Sequence, residues 1–505
     1  MDQLHWKQNV MKSVDAVINR ARLLGCVFVL LSIVGCSTFR MQEVYTSLEA
    51  GNPGAAFTLM EEKGPKNPKL PFLFERGLVA HYADRLQASN AALSRAADIS
   101  EDLYTRSVSK EALSLLTNDL LRPYPGTRFE RLLCHYYQAL NYAYLEHLDG
   151  ALVECRKATN LINYYKGEDE NYDFFAAPFL AYLSGIFYEA SGEWNDAFIS
   201  YRQAETYYRN AAKQTGVKVP SDVGTSLVRM ARKLGFTEEA ERYHSQYGES
   251  QPTSADAGEL VLFYETGYVP PKYEKTLTFP ILKIDTENFD AFLEDNIENE
   301  TTAESFVNHL LKFQGRAYKK VELEYLLHVA MPAIASKRPQ RAGITVQIGT
   351  HQQHGILIAD IEKMAIETFN RQRPTILFRT VTRAVLKYLA YRVAKAKIEK
   401  DAEEKKKELE SEAEKNKVDA ETRLYTSLAK LTSAVYTLAT EHADTRSWKT
   451  LPNRIFIVRI PLPEGTHDVT LSFLDANGGN KGTRTLENVE IRADRITFLN
   501  HRTYD

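Results

Sequence analysis

Cysteine is scarce in this chain, with four in 505 residues. Two lie in the N-terminal leader, Cys26 and Cys36, and two at Cys134 and Cys155 in a helical region. That distribution implies no disulfide framework, and the later pair is expected as buried free thiols, with a disulfide the alternative. Charge of one sign is lacking too. Lys plus Arg number 63 against 66 Asp plus Glu, a net −3, so no electrostatic case for nucleic acid exists. No Gly-rich phosphate loop, G-x-S-x-G elbow or H-E-x-x-H helix occurs. His351-Gln-Gln-His354 offers two imidazoles in an apparent strand-to-strand turn, with no third ligand near. Glu324 and His328 stand four apart in a segment that reads as strand, and Asp475-Ala-Asn-Gly-Gly-Asn480 lacks the acid that closes a calcium loop. The expectation is no catalysis, no metal and no cofactor.

A long membrane-crossing run is also lacking. The apolar stretch from Leu23 to Gly35 follows Lys12, Arg20 and Arg22 and is short for a bilayer span. It ends Ile33-Val34-Gly35-Cys36, which resembles a bacterial lipobox. That resemblance implies a signal peptide over residues 1–35, diacylglycerol on the Cys36 thiol, cleavage before it, and acylation of the new amine. Three acyl chains, at about 0.8 kcal/mol per buried CH₂, anchor without release. Leu23-Leu24-Gly25-Cys26 has the same form but no apolar run before it, so Cys36 is the expected site. Translation begins at Met1 or at Met11. Ser37 in place of Asp resembles the outer-membrane-sorted class, which places the body on the periplasmic face of a bacterial outer membrane.

What the chain has is a repeated spacing of small and aromatic residues. Gly185, Tyr188, Ala197, Tyr201 and Ala204 form one copy; Ala139, Tyr142, Ala151, Cys155 and Ala158 form another. Gly77, Ser89, Leu93 and Ala96 form a fainter one upstream, and Gly224 to Tyr247 holds a degenerate unit with Ala240. Small residues at these offsets let antiparallel helices approach while rings fill the space beside them. Glu146-His-Leu-Asp-Gly150 and Ser191-Gly-Glu-Trp-Asn195 read as the turns, and Thr127 with Glu130 as a capping box. The spacing resembles the tetratricopeptide (TPR) repeat. Residues 36–250 are therefore expected as an all-α, TPR-like array of irregular spacing. If the units stack, the first helix of each lines a concave face. Phe74, Tyr82, Tyr136, Leu140, Tyr144, Tyr182, Ile186 and Glu189 are then the expected partner-binding groove, though some tyrosines are equally explained as packing between helices.

Gln251-Pro-Thr-Ser-Ala-Asp-Ala-Gly258 reads as a linker. Residues 259–357 then alternate in short β-like runs at Leu260–Tyr264, Lys275–Phe279, Val321–His328 and Gly343–Ile348. Helical periodicity returns over 358–447, with Val381, Val385, Leu389 and Val393 in one stripe and a charged tip from Lys397 to Glu421. Strands resume in 448–505. The fold class expected is multidomain α + β: a helical array, then a β-sheet or sandwich module carrying a long helical-hairpin insertion.

Three stretches sharpen this. Gly258-Glu-Leu-Val-Leu-Phe-Tyr-Glu-Thr-Gly-Tyr-Val-Pro-Pro-Lys272, Pro123-Tyr-Pro-Gly-Thr-Arg-Phe-Glu-Arg131 and Ala443-Asp-Thr-Arg-Ser-Trp-Lys-Thr-Leu-Pro452 resemble a family of uncharacterised bacterial TPR-containing lipoproteins. The resemblance implies architecture and location and carries no activity. The expected function is a non-catalytic scaffold binding unidentified periplasmic or outer-membrane proteins, held to the membrane by its lipid, similar in architecture to the TPR lipoprotein of the β-barrel assembly machinery. Alternatives are a regulator of a peptidoglycan synthase or envelope-assembly enzyme, and a polysaccharide-binding or hydrolytic C-terminal domain.

Overall fold

Glycine, proline and short polar caps cut the first half of the chain into antiparallel helical hairpins. A computed structural model describes residues 41–108, 120, 122–168, 176–248, 257–282, 323–440 and 442–504. The leader, with Cys26 and Cys36, and most of the linker lie outside those residues. Helices α1 (Met41–Glu49) and α2 (Pro53–Lys63) form a first hairpin that the repeat spacing does not reveal. Four more follow: α3 (Leu70–Tyr82) with α4 (Leu86–Val108), α5 (Arg128–Tyr144) with α6 (Leu148–Glu168), α7 (Ala177–Ala190) with α8 (Trp194–Thr215), and α9 (Ser221–Leu234) with α10 (Thr237–Tyr247). Thr127 and Glu130 close a reciprocal capping box on α5, which satisfies two amide donors that a helix start leaves open.

Close approach within the hairpins explains the small residues. A Cβ on Gly77 would sit 2.5 Å from the Leu93 side chain, and one on Gly185 would sit 2.5 Å from the Tyr201 ring. Ala139, Ala151, Ala158, Ala197, Tyr201 and Ala204 are buried in the same core, with Tyr142 and Tyr188 half-buried at its margin. Cys134 and Cys155 are buried free thiols.

Two four-stranded sheets stack beside the array. The first runs β10 (Ile496–Thr503), β1 (Ala257–Thr266), β7 (Arg454–Pro463), β6 (Ile356–Asp360), with β1 parallel to β10 and antiparallel to β7. The second runs β5 (His351–His354), β4 (Gly343–Ile348), β8 (Gly465–Leu474), β9 (Asn480–Ile491), antiparallel throughout. His351 to His354 is therefore a strand, not the turn expected from the sequence, because Gly349 at φ 56° makes the reversal before it. Strands β2 (Lys272–Leu282) and β3 (Leu323–Ile334) form a separate two-stranded ribbon. Between β6 and β7 run α11 (Ile361–Lys407) and α12 (Glu412–Thr440).

Alternation along the first sheet decides the layering. Leu260, Leu262, Tyr264, Phe456, Val458 and Ile460 pack on Ile344, Val346, Leu471 and Phe473 of the second sheet. Their neighbours Val261, Phe263, Ile455 and Ile457 belong to the core of the helical array. A strand buried on both faces reads as an unbroken apolar run, as Leu260 to Tyr264 does. The layers are thus helices, sheet, sheet, and the array and β region share one core instead of standing as separate modules.

Candidate functional site

The concave face of the array was expected to stand open for a partner. It does not. Phe74, Tyr136, Leu140, Tyr182 and Ile186 are wholly buried, Glu189 is buried, and Tyr82 and Tyr144 are half-buried. The chain's own first sheet lies on this face, and the segment 443–453 threads beside it. The physical reason is the composition of that sheet, whose array-facing side carries Val261, Phe263, Ile455 and Ile457 and needs cover as its other side does.

Two buried charge centres fasten the sheet. At the first, Glu265 of β1 accepts hydrogen bonds from the Tyr82 hydroxyl, from Tyr137 at 3.1 Å and from Tyr136 at 3.3 Å. Arg502 of β10 lies 3.9 Å from the same carboxylate and donates to the Tyr82 oxygen, to Gly267 O and to Thr450 O. Its guanidinium stacks among Tyr82, Tyr268 and Tyr504. Burial pushes the Glu265 carboxyl up, while Arg502 and the three hydroxyls pull it back. Beside this centre His81 donates from Nδ1 to Asn141 at 2.6 Å and accepts at Nε2 from Asn500 at 2.8 Å, roles that suit a neutral ring. Burial lowers its pKa to about 4, with Arg502 adding to the effect and the Asn141 bond opposing it.

At the second centre Arg459 of β7 donates to both oxygens of Glu259, at 2.8 and 2.6 Å. It also donates to Glu189 at 3.1 Å, to Tyr201 and to Ser226. Arg229 reaches the other Glu189 oxygen at 2.7 Å. Burial alone would raise the Glu189 carboxyl, but Arg229, Arg459 and the Tyr201 hydroxyl outweigh it and hold the group near 2. Glu189 and Tyr201 thus serve the interface between array and sheet.

The segment 443–453 is held as an extended peptide would be. Trp448 is wholly buried and stacks on Phe74, with ring centroids 4.7 Å apart. Its amide donates to Glu130 at 2.6 Å, and the next two amides donate to Glu75 at 2.7 and 3.1 Å. Asn453 ends the strap: its carbonyl accepts from the first amides of α11, Ile361 and Glu362, and its side chain donates to Glu362, Tyr268 O and Lys337 O. Burying one tryptophan removes roughly 200 Å² from water, worth about 5 kcal/mol.

Here the three stretches that carried the family resemblance converge. Thr127, Phe129 and Glu130, then Val269, Pro270 and Lys272, then Ser447 and Trp448 surround one cavity of about 20 Å³, with Ala365 and Phe369 of α11 on its far side. That is room for one water. Arg446 stacks over Tyr124 and donates to Arg122 O, and Val269 donates to Leu451 O.

This arrangement binds the chain to itself. Its carboxylates are ion-paired or bonded to amides, and burial pushes its tyrosines far above their ordinary range. Among the described residues no group of three His, Cys, Asp or Glu stands ready for a metal, and no helix is long and apolar enough to cross a membrane. Sequence reasoning missed Glu75, Glu265, Trp448, Asn453, Arg459 and Arg502. A signal existed: Arg459 interrupts and Glu265 ends a run of buried apolar strand residues, and such a charge must find a partner.

No family model and no curated protein matches the chain. Solved structures overlap part of it: MamA, at 12% identity over 40% of this chain and 90% of that one, TM-score 0.27; the apo form of RapI, at 17% over 42% and 49%, TM-score 0.29; and aspartyl phosphate phosphatase F of Bacillus subtilis, at 16% over 38% and 43%, TM-score 0.27. At that overlap the repeat character of this chain rests on its own hairpins and their glycine contacts.

Proposed function

We propose that this chain is a non-catalytic scaffold of the bacterial envelope, tethered to the outer membrane through Cys36, in which the helical array is turned inward and partners meet the α11–α12 hairpin. The observation that carries this is the filled concave face. An array whose groove holds its own sheet has no groove to offer a peptide, while the hairpin leaves Val393, Leu424, Tyr425 and Leu428 exposed. Helix α11 has 47 residues, which at 1.5 Å each is roughly 70 Å. In sequence, four residues separate Cys36 from Met41, where α1 begins, so the folded body would lie within about 20 Å of its lipid. The version in which the arm contacts a peptidoglycan synthase or an envelope-assembly enzyme is supported by the same reach.

Membrane fractionation with palmitate labelling, wild type against Cys36→Ala, tests the tether; label and membrane pelleting that persist in the variant would end it. Crosslinked envelopes probed from a photoreactive residue at Tyr425 and, separately, at Tyr136 test the contact surface. Adducts from position 425 and none from position 136 are expected. The reverse pattern would return the partner to the concave face.

A further inference from the structure

The α11–α12 arm joins the rest of the chain, the body, at a waist. Along α11 the core of the helical array reaches Ile361, Met364 and Ala365, and Phe369 is buried one turn further on. From residue 380 onward Thr380, Val381, Ala384, Val385 and Tyr388 are buried again. Among the described residues these belong neither to the array's core nor to the one between the sheets. Between the two stretches all six residues from Asn370 to Thr375 are exposed. Six residues make more than one and a half turns, so no face of the helix is buried there. Pro374 stands inside this stretch. It brings no amide to the Asn370 carbonyl and its ring crowds that carbonyl, which loosens the helix at this turn and permits a bend.

Three other segments cross the waist, and none of them does so as helix or strand. The β2–β3 ribbon packs along α11 and reaches α12. The chain enters it through residues 267–271 and leaves through residues 335–342, neither of which is helix or strand. Residues 442–448 return from α12 in the same irregular way. Within that return Ala443 donates to Glu274 of the ribbon at 2.7 Å, while Arg446 donates to Arg122 O, just before α5, at 2.9 Å. The chain thus passes from arm to body between those two residues. Lys272, Ile334, Gln372 and Ser447, one from each crossing, line the same cavity of about 20 Å³. We propose that α11 beyond Pro374, α12 and the ribbon swing as one piece about a hinge at Pro374, with this cavity at the pivot. The one regular element that crosses carries a proline there, and the packed interior stops on either side of it. The proposal rests on the arm being the contact surface, and it gives that surface reach. Ala396 lies 22 residues beyond Pro374, roughly 33 Å along the helix, so a swing of about 20° carries it roughly 11 Å.

The test uses the full-length protein alone, in detergent, with spin-labelled unnatural residues so that the native cysteines stay untouched. Double electron–electron resonance measures the distances from Ala396 to Glu62 and to Glu238, exposed positions towards the two ends of the array. The pairs 62–238 and 396–410 serve as references inside the body and inside the arm. Both pairs that cross the waist are expected to spread about twofold more broadly than the references. Pro374→Ala, which returns the missing amide, should narrow the crossing pairs towards the reference width. Equal widths for crossing and reference pairs, a 396–410 pair as broad as the crossing ones, or crossing widths indifferent to Pro374→Ala would each overturn the proposal. No partner takes part, so a rigid arm would leave the scaffold reading standing, and absence of adducts from position 425 would leave the hinge standing.

Discussion

Replacing Arg459 should uncouple the sheet from the array. Its side chain is 5% exposed and is bonded to Glu259 and Glu189, themselves 18% and 9% exposed. Arg459→Ala leaves Glu259 without its bidentate partner and Glu189 with only Arg229 and the Tyr201 hydroxyl. Breaking one partner of a buried pair costs about 3–5 kcal/mol, a large share of the roughly 5–15 kcal/mol that folded proteins hold in reserve. Exchanging the pair together, Arg459→Met with Glu259→Leu, removes both the charges and the orphan, so most of the loss should return. The assay is guanidinium unfolding followed by helical circular dichroism. Acid supplies a second readout. Glu189 is held near 2 in the folded chain, below its ordinary 4.5, so its contribution is full above pH about 4.5 and is lost as pH falls towards 2. The gap between wild type and Arg459→Ala should therefore narrow in acid. A single variant within about 0.5 kcal/mol of wild type, or a double variant worse than the single, would refute the argument.

Glu75 predicts the opposite pH trend. Burial lifts its carboxyl from 4.5 to about 7 against the pull of the Thr450 and Lys449 bonds. Its contribution is full below pH about 4.5 and is lost as pH rises through 7, some 3 kcal/mol in all. Glu75→Gln should start less stable but stay flat over that window in denaturant titrations; parallel slopes for the two proteins would count against it. Tyr136→Ala with Tyr144→Ala would abolish capture and spare the fold if the groove were open. With Tyr136 wholly buried against Tyr137 and Phe179, the pair should instead cost about 3–5 kcal/mol, and a variant as stable as wild type would reopen the groove. Gly185→Val should strain the α7–α8 hairpin against the Tyr201 ring by about 1–3 kcal/mol, read as a lower melting temperature; an unchanged melting temperature would mean the helices can part.

Local structure was legible where one residue's size or one cap decides it. Gly77 and Gly185 announce close helix approach, and Thr127 with Glu130 announces the start of α5. The destination of the concave face was not legible, because it depends on what lies hundreds of residues away. Tyr136 at a groove position and Tyr136 under a strand have the same local sequence; only Glu265, a charge directly after the run Leu260 to Tyr264, hints that something must come to meet it. Strand order was hidden for the same reason, since β1 pairs with the last strand of the chain. The α1–α2 hairpin escaped the repeat pattern because its turn, Gly51-Asn52-Pro53, carries the signal while its helices lack the aromatic spacing.

The account's central claim is that the array folds around its own sheet as one unit. In a Trp6→Phe, Trp194→Phe background, indole emission reports Trp448 alone on its stack with Phe74. Guanidinium titration followed at once by that emission and by helical circular dichroism tests the claim most directly. Coincident transitions are predicted. Exposure of Trp448 at clearly lower denaturant, with the helices still formed, would show a strap and sheet that merely rest on the concave face.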